Sequence, residues 1–319
     1  MEYKVVSNFG NGNIQALKTI KEIMGLKVND NDCMTFDFRP YGENNPFSNL
    51  VIGNALRAYK KNHTHEMRFI PNDGNYLSHL GFYHMIGADY GKELGEAKPN
   101  SNYVPIRRLH FSDDFYSGIE KTSDDLSQLL HFDADLQSFL KYIFIETIRN
   151  VYEHADTNEV YIAAQKWPSK SLLEIAIVDS GCGVAESLRN VYKNKTEKEL
   201  MYHAGLPGIS ARSNHGYLGR DDGWRNSGYG LYLLRRLAVS YGGSFMLCSG
   251  NIALHQAEQV KEYETLYSGT AVAIRINTNT KNNFQNVREK ILREGEKKAK
   301  EIADSVKKAS KSSGGHYRA

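Results

Sequence analysis

Leu172-Leu173-Glu174-Ile175-Ala176-Ile177-Val178-Asp179-Ser180-Gly181-Cys182-Gly183 is a short apolar run that stops at an acid followed by two glycines. A run of this length bounded by turn residues predicts a buried strand. Glu159 to Gln165 has the same strand composition, and Lys166-Trp167-Pro168-Ser169-Lys170 between them is a loop, so the two predict an antiparallel pair. At the strand end, Asp179 leaves the sheet edge, where a carboxylate can accept a hydrogen bond from an exocyclic amine. Gly181 and Gly183 let backbone approach a ligand closely.

Upstream, Leu136, Phe139, Leu140, Ile143, Phe144 and Ile148 recur at the spacing of a helix with one buried face, running to about His154. Glu146, Asn150 and His154 are four apart on that helix, offset by only ~40° per step, and so share a face. Alone, they read first as the wet side of an amphipathic helix, and the elements downstream change that reading. Downstream, Gly181 to Ser227 is long and polar, the pattern of a lid or binding loop. Asn226-Ser227-Gly228-Tyr229-Gly230-Leu231 then opens a helix from Gly230 to Tyr241, and backbone amides at such a start favour phosphate. Ser244 to Ser249 and Thr270 to Ile276 are closing strands.

In this order the three elements resemble the GHKL superfamily of ATPases and kinases, over roughly residues 125 to 277. Glu146-Thr147-Ile148-Arg149-Asn150 looks like its asparagine box, Asp179 to Gly183 like its first glycine box, and Gly228-Tyr229-Gly230-Leu231 like its second. Met201 to Arg212 looks like its lid entry. The resemblance implies a two-layer α/β sandwich of the Bergerat ATP-binding type, with ATP and Mg²⁺ as cofactors. It implies Asn150 as the Mg²⁺ ligand, Glu146 as the residue that orients or deprotonates the nucleophile, and Asp179 as the receptor of the adenine amine. Gly181 and Gly183 would make room for base and ribose, and Gly228 and Gly230 would surround the terminal phosphates. His154 is open between a phosphate contact and a structural hydrogen bond, and Arg212 and Arg220 are lid candidates for phosphoryl charge. No acceptor-histidine segment precedes the region and no transducer domain follows Ile276, unlike sensor kinases and the gyrase branch.

Residues 1–100 alternate helix and strand: helices at Asn13 to Met24 and Phe47 to Lys60, strands at Met34 to Phe38 and Glu66 to Ile70, and a short helix at Tyr76 to Leu80. This smaller α/β unit resembles the STAS domains of anti-sigma-factor antagonists in its strand, loop and helix rhythm, with Ser48 near the place of their phosphorylated residue. Residues 101–124 read as a linker, 125–280 as the histidine-kinase-like ATP-binding domain and 281–319 as a basic helical tail. Three functions follow as expectations: an ATP-gated switch with hydrolase activity, a serine/threonine kinase resembling the anti-sigma kinases, and a non-hydrolysing nucleotide-sensing scaffold.

The chain has 319 residues, 40 % apolar and 24 % charged, which excludes collagen-like and wholly disordered classes. No apolar run nears the ~20 residues of a membrane span, no signal peptide opens the chain, and three cysteines without C-x-x-C spacing support neither a disulfide framework nor a zinc site. A cytoplasmic protein without membrane insertion is the expectation. Residues 281–319 hold eleven Lys or Arg against five Asp or Glu, leaving residues 1–280 at −3. A regulatory protein partner, a homodimer, and nucleic acid at the basic tail are the partners the pattern admits.

Overall fold

The computed structural model describes residues 3–6, 12–27, 33–41, 45–72, 76–110, 115–127, 134–209 and 228–302. Arg212 and Arg220 lie outside them, as does the chain beyond 302.

The amino-terminal part runs β1 (Tyr3–Val6), α1 (Asn13–Met24), β2 (Cys33–Asp37), α2 (Pro46–Asn62) and β3 (Glu66–Ile70), with the strands in a parallel sheet of order β1-β2-β3. The short helices α3 (Tyr76–Leu80) and α4 (Phe82–Met85) follow. Pro46 opens α2 at a position where a missing N–H costs nothing, and Asn45 caps it by accepting from the Ser48 amide at 2.9 Å. Ser48 itself is fully buried, and its hydroxyl donates to Asn45 Oδ1 at 2.9 Å. It is therefore a helix-terminus residue closed to a kinase in this fold.

The rest builds on a five-stranded antiparallel sheet of order β4-β5-β6-β8-β7, from β4 (Tyr103–His110), β5 (Glu159–Trp167), β6 (Leu172–Asp179), β7 (Ser244–Gln256) and β8 (Val260–Asn277). Helices α5 (Phe115–Ser127), α6 (Ala134–His154), α7 (Val184–Arg189), α8 (Glu197–Ala204), α9 (Gly230–Ser240) and α10 (Phe284–Ile302) complete it. The expected antiparallel pair is β5 with β6, from Val160 opposite Asp179 to Trp167 opposite Leu172.

Three expectations are corrected. Residues 101–124 are not a linker: they supply β4 and most of α5. Pro105 obscured the strand, and it is tolerated because β4 is an edge strand whose register slips between Val104 and Arg107. The stretch from Gly181 to Ser227 is not wholly irregular, since it contains α7 and α8, the latter opened by a capping box between Thr196 and Glu199. The tail begins as part of the body: α10 buries Phe284, Ile291 and Ala299 in the core shared with α6 and α9.

The sheet is covered on both faces, so its strands alternate between two cores rather than between core and water. Ile162, Ile175, Ile177, Leu247 and Val272 join the core under α6 and α9. Tyr161, Ala163, Ala176, Val178, Ala271 and Ala273 join a second core with α1, α2, Phe36 and Phe38. The amino-terminal unit is thus seated on the back of the sheet, in the order parallel sheet, α1 and α2, antiparallel sheet, α5 to α10.

A buried carboxylate fixes that seat. Glu174 has no exposed side-chain surface, pairs with Arg275 on the neighbouring strand, and accepts from Asn13 Nδ2 at 3.1 Å and the Phe47 amide at 3.0 Å. The first turns of both α1 and α2 therefore converge on one negative charge, the end of a helix that favours it.

Candidate functional site

The pocket lies on the opposite face of the sheet, where α6 and the ends of β6 and β8 meet α7 and the start of α9. It is a cleft of about 740 Å³, counting space open to solvent. Thr147 and Asn150 reach it from α6, one helical turn apart, and Asp179 and Thr270 from the strands. Gly183, Gly228 and Gly230 complete the polar part of its wall.

Asp179 is 1 % exposed. Its Oδ1 accepts from the Gly181 amide at 2.8 Å and the Thr270 amide at 3.2 Å, while Oδ2, equally buried, has no hydrogen-bond partner. Burial pushes its carboxyl up to about 7, against the lowering effect of those two amides and of the Thr270 hydroxyl. An acidic oxygen left without a donor in a cavity wall is costly unless a ligand supplies the donor.

The start of α9 is the complementary feature. Among the described residues no side chain caps it, and its first turn carries no acid, so the positive end of its dipole favours an anion. Gly228 has φ +74°, and a side chain there would meet Gly208 and Ile209 backbone at 2.7 Å. The Gly208 amide donates to the Gly228 carbonyl at 3.0 Å, which ties together the two ends of segment 210–227.

The pocket thus gathers Asn150, Asp179, Gly183, Gly228 and Gly230 from three separate stretches of sequence. Gly181 is not in its wall: a side chain there would fall 1.8 Å from the Ala155 carbonyl, so this glycine serves the close passage of the strand end past α6 rather than room for a ligand. Glu146 lies on α6 one turn before Asn150, and His154 closes that helix; the side chains of both lie outside the described residues.

Sequence reasoning missed Thr270, Thr147 and Ser249. Ser249 accepts from the Val184 amide at 3.1 Å and donates to the Gly269 carbonyl at 2.7 Å, which locks the glycine turn to the sheet. The signal was a polar residue at the head of an apolar strand, as in Ser268-Gly269-Thr270 before Ala271.

Among the described residues no cluster of three or more His, Cys, Asp or Glu is placed to hold a metal, and no helix is long and apolar enough to cross a membrane. Cys33, Cys182 and Cys248 are not paired in disulfides. No protein-family model matches the chain, and no curated protein matches its sequence.

Proposed function

We propose that the pocket binds Mg-ATP and that the chain is a GHKL-type ATPase module in which nucleotide binding works a switch. The observation that carries this is the buried, donorless Oδ2 of Asp179 in the same cavity as the uncapped start of α9. One feature calls for a hydrogen-bond donor such as an adenine amine, the other for an anion such as phosphate. Asn150, on the same wall, carries a side-chain oxygen of the kind Mg²⁺ takes alongside water and phosphate oxygens, and is the residue that would hold the ion. Bound Mg²⁺ would neutralise charge on the phosphates. Glu146, one turn away, would orient or deprotonate the attacking water.

Hydrolysis is preferred over transfer to the chain's own Ser48, because that hydroxyl is buried and engaged. The test follows the γ-phosphate of labelled Mg-ATP with the purified chain beside Asn150→Ala. Free phosphate that vanishes in the variant supports the reading; absence of both ATP binding and phosphate release overturns it.

A further inference from the structure

Asn54 sits mid-helix on α2, in the amino-terminal unit, yet ends against the nucleotide pocket from behind. Its side chain is 1 % exposed. Nδ2 donates to the backbone carbonyl of Asp179 at 3.1 Å and to the Tyr267 hydroxyl at 2.8 Å, and that hydroxyl in turn donates to the same carbonyl at 3.3 Å. The pairing of β6 with β8 stops at Val178 and Ala271. One residue further on, the carbonyl of Asp179 is held by these two side chains. Small residues make the reach feasible: Gly269 at φ +102° has no side chain to strike the Asp179 carbonyl, which lies 2.2 Å from where its Cβ would be.

The arrangement is expensive for a purely structural contact. Asn54 Oδ1 is buried and has no hydrogen-bond partner, and a leucine of similar size would avoid that cost in an otherwise apolar interface. Tyr267 is fully buried, and its hydroxyl is held well above its ordinary range by burial and by the nearby Asp179, so it remains a proton donor.

We infer that Asn54 is a positioning residue for base recognition: the amino-terminal unit, through Asn54 and Tyr267, sets the backbone of Asp179 and thereby the aim of its free carboxylate oxygen at a 6-amino purine. The inference rests on the nucleotide reading above. It makes selectivity for the base, rather than phosphate binding, the property that α2 governs.

The experiment titrates the full chain calorimetrically with ATP and with purine riboside triphosphate, which lacks the 6-amino group. Wild type is expected to prefer ATP by about tenfold or more. Asn54→Leu is expected to lose about tenfold in ATP affinity with the analogue unchanged, and to lose nothing further in an Asp179→Asn background. Tyr267→Phe keeps the direct amide bond and loses about threefold, again for ATP alone; it stands in should Asn54→Leu not fold. Equal losses for both nucleotides, or an undiminished preference for ATP, overturn the inference and leave the nucleotide reading standing. A wild type that binds neither nucleotide overturns the reading and the inference together.

Discussion

Asn13 Nδ2 and Glu174 Oε2 meet at 3.1 Å across 161 positions of sequence, one on the first turn of α1 and the other at the middle of the antiparallel sheet. The same carboxylate holds Arg275 and the Phe47 amide, so its removal strands three donors in a closed interface. Breaking a buried ion pair from one side costs ~3–5 kcal/mol. Arg275 is partly exposed, so Glu174→Ala should lower stability in urea by less than that fully buried figure, and Glu174→Gln, which keeps an acceptor, by less still.

The titration of Asp179 predicts a pH dependence. Its folded carboxyl ionises at about 7, whereas an unfolded one does so at about 3.9. Between those values the native state holds a proton the unfolded chain has lost, so stability without nucleotide falls as pH rises from about 4 to 7 and is level above. ATP affinity should run the other way. The adenine amine needs the ionised acceptor, so affinity weakens below pH 7 by up to about tenfold per unit. Asp179→Asn should flatten that slope, as read by calorimetric titration between pH 5.5 and 8.

Glu146→Gln should retain ATP binding and lose phosphate release by about 10²–10⁴-fold, the usual contribution of a positioned acid or base. Turnover equal to wild type would remove Glu146 from the chemistry. Asn150→Ala differs in kind: it should weaken nucleotide binding chiefly when Mg²⁺ is present, which a titration with and without chelator separates.

Gly295 interrupts α10, where glycine costs ~1 kcal/mol against alanine. The reason lies in packing: a side chain there would come within 2.7 Å of the Tyr232 ring and 3.0 Å of the Tyr229 ring. Overpacking of that degree costs ~1–3 kcal/mol. Gly295→Ala should thus lower the melting temperature despite the better helix former, and Gly295→Ala with Tyr232→Phe should not recover it, because the contact is at the ring carbons.

Much of this was legible from periodicity and turn chemistry. The strands β5 and β6, the helices α1 and α2, and β3 follow from apolar spacing, with Pro46 marking the start of α2. Asn150, Asp179, Gly183, Gly228 and Gly230 could be grouped because each stands at the end of a recognisable element or on a helix face, and the structure brings them to one wall. What stayed hidden depends on contacts distant in sequence. β4 carries a proline that only an edge position tolerates, and the packing of the amino-terminal unit rests on alanines, which no hydrophobic pattern distinguishes as a binding face. The unbroken apolar run of Leu173 and Ile175 to Val178 did carry the clue, since a strand covered on one side alone would have alternated with polar residues.

The antiparallel sheet is a party wall. Ala163, Ala176, Ala271 and Ala273 face the α1 and α2 side, while Ile162, Ile175, Ile177 and Val272, interleaved with them, face the pocket side. A methyl added on one side displaces backbone shared by both, so the helices behind the sheet and the cavity before it cannot drift independently. A change of volume at the small residues on which α2 rests is therefore felt in the pocket, and one in the pocket wall is felt beneath α2.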